Sequence, residues 1–215
     1  MGDRIRSLDW AQTPLGPISS WPLTLVTTFG IMLHRHYPSA IVWGPQQILL
    51  YNTAYSAFLG PEKHPQALGR SAKETWAEIW DTAGPLHDRA YAGESMLFEA
   101  MQLFLPRRPK EDPCGRFEEL YLTVSYVPLY EPDGAVGGFF ALCIDMTAKV
   151  QAEQRADALR QLAKRLTEAR MVSSLLFITC DVLRSLADVV PYVAAYRVVP
   201  GGHAGSFTSP RCELD

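Results

Sequence analysis

Cysteine is sparse in this chain, and its pattern excludes several classes of protein. The four cysteines of the 215 residues, Cys114, Cys143, Cys180 and Cys212, form no CxxC pair and have no histidine at ligand spacing. That argues against a disulfide framework or a zinc site and for a reducing compartment. Long hydrophobic runs are missing too. The most apolar region, Leu175 to Val199, is interrupted by Asp181, Arg184 and Asp188, so a bilayer span is not expected. The opening residues Met1-Gly2-Asp3-Arg4 lack the apolar core of a signal peptide, and the expected location is the cytoplasm. Neither sign of charge dominates: 20 basic against 23 acidic residues leave a net charge of −3. Bulk charge therefore gives no reason to expect a nucleic-acid or membrane partner. Catalytic signatures are also lacking, with no nucleophile elbow, no His-Glu metal motif and no Gly-rich nucleotide lid. Gly137-Gly138 lies within a strand pattern and reads as a site of close packing or a bulge rather than a phosphate cradle. Catalysis by this chain alone is not expected.

What is present is an ordinary globular composition, 47% hydrophobic and 20% charged, with length for one domain and part of another. Its clearest stretch is Phe117 to Thr147, which reads as one long hairpin. Leu120, Leu122, Val124 and Tyr126 alternate with Glu119, Tyr121, Thr123 and Ser125, the period of a half-buried strand. Glu131-Pro132-Asp133-Gly134 supplies the turn, with proline fixing φ, aspartate bonding back to the backbone and glycine accepting φ > 0. Val136 to Ile144, rich in Gly and Phe, reads as a central strand that hands over at Asp145-Met146-Thr147 to a helix capped by Thr147.

The remainder fills in an α+β chain. Residues 1–20 read as an irregular arm held down by Trp10. Ser19 or Ser20 is expected to cap a helix with Trp21, Leu25, Phe29, Met32 and Leu33 on one face, Pro22 sitting in its first turn. Ala40–Trp43 and Ile48–Tyr51 make a first hairpin, and Asn52 caps a short helix carrying Tyr55, Phe58 and Leu59. From Glu62 to Gly93 the pattern is helical in pieces, one opening at His64-Pro65, one over Ser71–Trp80 and one at Gly84-Pro85. Met96–Leu105 is a third strand, and Pro106–Gly115 a surface loop. Lys149–Arg170 is a linker helix whose Leu159, Leu162 and Leu166 sit at coiled-coil spacing, with Arg155 in a core-like position before them. These leucines are the expected seam of a parallel homodimer; a single amphipathic helix lying on its own domain is the alternative. Leu175, Ile178, Val182, Leu183 and Leu186 continue a helical face, Pro191–Val199 reads as a strand, and Gly201–Asp215 has no period.

The run Trp10…Thr13-Pro14-Leu15-Gly16-Pro17…Ser20-Trp21-Pro22 resembles the entry of PAS sensor domains in one group of sensor histidine kinases. So do Trp43-Gly44-Pro45, Leu50-Tyr51-Asn52-Thr53-Ala54-Tyr55, the run Lys63 to Arg70, Ile79-Trp80…Gly84-Pro85-Leu86 and Tyr126-Val127-Pro128-Leu129. The resemblance covers residues 8–150 and implies a five-stranded antiparallel sheet with helices on one face. Asp145-Met146-Thr147 resembles the Asp-x-Thr motif that ends PAS domains and couples them to the helix behind. Residues 170–199 look like the opening of a GAF domain, but 45 residues after Arg170 are too few to complete one. The expected division is therefore an arm and helix over 1–35, a PAS domain over 36–147, a signalling helix over 148–170, and a truncated GAF-like segment or tail over 171–215.

No histidine among His34, His36, His64, His87 and His203 sits in the dimerisation motif of a kinase core. His87 corresponds, by the resemblance, to the helix that carries the axial ligand in haem-binding PAS domains, and a pocket lined by Met96, Phe98 and the central strands would suit haem. The other reading is a solvent-facing His87 beside Asp88 and Arg89. The cysteine context needed for flavin photochemistry is missing. Trp43, Trp76, Trp80, Phe139 and Phe140 are expected in the core, some lining a small-molecule cavity. Asp145 and Thr147 are the expected signal relay, fixing helix against sheet; a plain helix cap is the simpler alternative. The chain thus reads as a sensory module without a cofactor of its own, passing its state to a downstream signalling domain or kinase. The rivals are a haem-dependent gas or redox sensor and a ligand-free dimerisation module.

Overall fold

Strands β1 (Ser39–Trp43) and β2 (Ile48–Tyr51) are buried at every residue, which places them beneath cover on both faces. The computed structural model describes residues 2–105, 118–168, 172–184 and 193. With β3 (Met96–Leu105), β4 (Glu118–Tyr130) and β5 (Val136–Asp145) these strands form an antiparallel sheet of order β2-β1-β5-β4-β3. β5 is central, as its Gly- and Phe-rich composition predicts. Gly138 explains part of that composition: a Cβ there would collide with the Val42 carbonyl of the neighbouring strand, and at Gly137 it would lie 2.7 Å from Trp43. β4 carries the expected alternation, with Leu120, Leu122, Val124 and Tyr126 buried on one side. The Glu131–Gly134 turn forms as expected. Gly134 takes φ +85°, its N–H donates to the Glu131 carbonyl at 2.9 Å, and Asp133 Oδ1 accepts from Ala135 N at 3.0 Å. β3 bulges between Phe98 and Met101, where Ala100 adopts φ +48°.

Residues Met1–Gln151 form one compact unit, and a second begins at Ala152. In the first unit, the arm contains helix α1 (Gly2–Ser7) and a 3₁₀ turn at Trp10–Gln12. Trp10 does hold it down: its ring is buried edge-on to Trp21 at 4.9 Å, and its indole N–H donates to the Ile5 carbonyl at 2.8 Å. Helix α2 (Leu23–Leu33) packs on β1 and β2 through Leu25, Phe29 and Met32. Neither Ser19 nor Ser20 caps it. They lie in a separate 3₁₀ turn, Pro22 occupies the N-cap, and Ser20 Oγ donates to the Pro17 carbonyl at 2.7 Å.

Between β2 and β3 run α3 (Ser56–Lys63), α4 (Ala72–Thr75) and α5 (Trp80–Tyr91). Two sequence expectations need correction here. The His64–Gly69 piece is a succession of turns rather than a helix. The last helix begins at Trp80 and carries Pro85 inside it instead of starting at Gly84-Pro85. A proline within a helix removes one ladder hydrogen bond without preventing flanking turns from forming on a packed surface. The outer edge of β2 is closed by backbone bonds, Leu49 N to the Arg70 carbonyl at 2.8 Å and Gly69 N to the Leu49 carbonyl at 2.9 Å. Gly69, at φ +78°, lies under the arm, where a Cβ would press on Thr13, Leu8 and Trp10.

Helix α6 (Thr147–Glu168) follows β5 with one intervening residue, and α7 (Val172–Arg184) follows it. Within the second unit, Arg165 pairs with Asp181 at 2.6 Å. No described helix is long and apolar enough to cross a membrane. The expected loop 106–115, the strand 191–199 apart from residue 193, the tail 201–215, Phe117 and Leu186 lie outside the described residues, as do Cys114, Cys212 and His203.

Candidate functional site

Two places in the first unit bring together the residues singled out by sequence: a cavity under the sheet and the junction from sheet to helix.

The cavity has a volume of about 60 Å³ and is walled by Val42, Val124, Tyr126, Phe139 and Cys143 of the sheet and by Leu86 and His87 of α5. The inward alternation of β4 and β5 supplies its floor, and the one-helical-turn spacing on α5 brings Ala83 and His87 to its roof. Among the described residues no charged side chain lines it. Its ionisable groups are all driven towards neutrality by burial. The Cys143 thiol is pushed up to about 12, the Tyr55 and Tyr126 phenols are raised well above their ordinary value, and His87 is lowered to about 4. The cavity is an uncharged, mostly apolar space across the physiological pH range.

His87 is only 4% exposed, so the expectation of a solvent-facing histidine is overturned. Its ring lies edge-on to Phe139 at 4.8 Å, Trp80 at 5.0 Å and Tyr126 at 5.8 Å, and Nδ1 donates to Gln47 Oε1 at 3.0 Å. A haem does not fit this arrangement. Cofactor-sized pockets run to about 300–1,000 Å³, far above the volume here, and three aromatic rings crowd the imidazole. Met96 and Phe98 do not line the cavity either. The bulge after Phe98 instead brings Met101 and Leu103 to its wall. Of the aromatics expected in the core, Trp43, Trp76 and Phe139 are buried, while Trp80 and Phe140 are half-buried. Gln47 was not singled out by sequence, because a hairpin-turn glutamine carries no local signal of a partner 40 residues away.

At the junction Thr147 does not take the cap role expected of it. Asp145 Oδ1 accepts from Thr147 N at 2.9 Å, so aspartate holds the start of the helix. Thr147 Oγ1 turns to the sheet and accepts from Tyr121 N at 3.0 Å. Met146 N donates to the Tyr121 carbonyl at 2.7 Å. Both backbone groups of Tyr121 in β4 are therefore bonded to the first residues after β5, and the ladder between the two strands runs into α6 without a break. Tyr121 was not identified from sequence; it looked like one more outward residue of an alternating strand.

The seam leucines do not share one environment in the single chain. Leu159 is 64% exposed, Leu162 and Leu166 are half-buried, and the buried position in that part of α6 is Ala158.

A five-stranded antiparallel sheet, helices packed upon it and a cavity between them make this a PAS fold, the α+β architecture that the sequence resemblance implies. No family model matches the chain, and no curated protein matches it. Among solved structures it is similar to an RNA-binding light-oxygen-voltage receptor at 19% identity and a TM-score of 0.44, over 73% of this chain and 43% of that one. It is also similar to a sensory box sensor histidine kinase from Vibrio cholerae at 16% identity and a TM-score of 0.40, over 56% and 89%. A light-oxygen-voltage protein from Rhodobacter sphaeroides matches at 16% identity and a TM-score of 0.45, over 77% and 90%. The chain thus spans less than half of the first of these proteins, and at such identities the likeness concerns fold only.

Proposed function

We propose that this chain is the sensory module of a cytoplasmic signalling protein of the sensor-histidine-kinase kind, with no catalytic core or resident cofactor of its own. The state of the cavity is passed through the sheet to α6, and through α6 to a downstream signalling domain or kinase. The observation that carries this reading is the double anchorage of Tyr121 to Met146 and Thr147, because it makes the first turn of α6 an extension of the β4–β5 ladder. The next residue of β4 facing the other way, Leu122, lines the cavity, as do Val124 and Tyr126 beyond it. A shift of β4 driven from the cavity therefore reaches the helix through two hydrogen bonds.

Thr147→Val tests the relay. Valine keeps the shape and removes the acceptor for Tyr121 N, a buried-edge bond worth about 1 kcal/mol. Amide exchange at Tyr121 and across the first turn of α6 is expected to quicken about five-fold while the rest of the sheet stays protected. Unchanged exchange at those amides would mean that the junction does not couple sheet to helix.

The proposal extends to a parallel homodimer along α6 through Leu159, Leu162 and Leu166, residues 148–170 acting as signalling helix between the PAS domain and whatever follows. The exposure of Leu159 supports it, as an apolar side chain left in water on a linker helix. Burying three leucines per chain is worth roughly 1.5–3 kcal/mol each before ordering costs, which points to micromolar association. Leu162→Glu is expected to give monomers by light scattering. A variant that stays dimeric would move the interface off α6.

A further inference from the structure

A second concavity, an open groove of about 880 Å³, runs between the arm and the stretch 65–71 that closes the outer edge of β2. Both of its banks are fixed. Trp10 pins the arm, and the backbone of Arg70 is bonded on either side, its N–H to the Ala67 carbonyl at 3.2 Å and its carbonyl to Leu49 N at 2.8 Å. Arg4 lines the arm bank and Arg70 the other. Both are exposed, and among the described residues neither side chain has a hydrogen bond or an ion pair. That sets them apart from Lys63, Arg89, Arg160 and Arg165, which hold Glu78, Glu94, Asp157 and Asp181. Glu74 also lines the groove but pairs with neither arginine, so a positive charge is left in excess. Gln12, Gln66 and Ser71 add side-chain donors that no described residue takes up.

We propose that this groove binds a small molecule with two acidic groups, carboxylate or phosphate, one received by Arg4 and the other by Arg70. The site is separate from the cavity under the sheet and does not depend on the relay through α6. A guanidinium keeps its charge and presents a planar fork of donors that matches both kinds of acidic group. The volume lies within the ~300–1,000 Å³ of ligand sites, so a body of several atoms can join the two groups. A cation would have to settle beside two guanidiniums with Glu74 as its sole carboxylate. A molecule with one acidic group would leave one arginine unserved. Once bound, the ligand bridges the arm and the edge of β2, so it ties the arm more firmly to the sheet.

Adipate and hexanoate make one arm of the test, and pyrophosphate and phosphate the other, because the members of each pair differ by one acidic group. Each is titrated into the full 215-residue chain by NMR, at low salt because exposed charges are screened. In at least one pair the doubly acidic member is expected to bind at least ten-fold more tightly, shifting the amides of Gln12, Thr13, Gly69 and Ser71. A preference for adipate alone assigns the groove to carboxylates, and for pyrophosphate alone to phosphates. Arg4→Gln and Arg70→Gln should each abolish the preference; both positions are exposed, so the core is untouched. Arg155→Gln, which removes the same charge from α6, should keep it. The His64 titration should move up on binding, since burial first and Arg4 second hold it below its ordinary value, and the anion neutralises Arg4. No preference in either pair would overturn the proposal. So would its loss in Arg155→Gln, or shifts confined to Val124 and Phe139 of the cavity.

Discussion

Replacing Asn52 with alanine is expected to lower the unfolding free energy by about 4 kcal/mol or more, a large part of the ~5–15 kcal/mol that holds a domain folded. The side chain is fully buried and joins five backbone groups. Its Oδ1 accepts from Tyr55 N at 2.9 Å and from Ser39 N at 3.1 Å. Its Nδ2 donates to the carbonyls of Tyr37 at 2.8 Å, Arg35 at 3.1 Å and Met32 at 3.4 Å. These bonds connect the end of α2, the link to β1 and the turn into α3, none of which has a regular ladder at that point. Alanine would leave several buried groups unpaired, each costing about 1–3 kcal/mol where no water can enter. The urea midpoint should fall with an unchanged m-value. Asn52→Asp should be no milder. It keeps the acceptors but sets a buried carboxylate against three carbonyls. A loss below about 1 kcal/mol for the alanine variant would mean that water replaces the side chain at this junction.

The second large effect is a loss of stability in mild acid that traces to His87. Burial lowers its pKa in the folded chain from 6.5 to about 4. Above pH 6.5 the imidazole is neutral in both states and favours neither. As pH falls from 6.5 towards 4 the unfolded chain takes up the proton first, so folding loses stability across that window. Integrated over the window the loss is roughly 3 kcal/mol. His64, also lowered by burial, acts in the same direction. The comparison of interest is therefore between the protein and His87→Phe, by urea unfolding at pH 7.5 and pH 4.5. The unaltered protein should lose markedly more stability than the variant. Equal losses would show that His87 is protonated in the folded state without cost, contrary to its position among three aromatic rings.

Much of this molecule was legible as a linear pattern. Leu120, Leu122, Val124 and Tyr126 alternate because one face of a strand is dry, and the burial of all four follows from that pattern alone. Glu131–Gly134 turns the chain with its own residues, and β5 takes the central place, where Gly137 and Gly138 let Trp43 and the Val42 carbonyl of β1 come close while Phe139 is fully buried. The errors arose where backbone geometry overrode side-chain chemistry. Ser19 and Ser20 have the chemistry of a helix cap, yet Pro22, which needs no amide donor, stands at the N-cap. Met96 and Phe98 have the right composition for a cavity wall, but the bulge at Ala100 rotated the next residues into that place.

By itself, then, the sequence determined the α+β class, the strands, the central place of β5 and the handover from β5 to a helix at Asp145–Thr147, because periodicity, turn chemistry and short motifs act over a few residues. Only the tertiary structure decided which residue does what at the two sites. Thr147 bonds Tyr121 across 26 positions, and His87 meets Gln47 across 40. Both depend on the register of strands and the packing of a helix on them. Such pairings are decided when distant segments meet and water is excluded between them, a condition that no local pattern records.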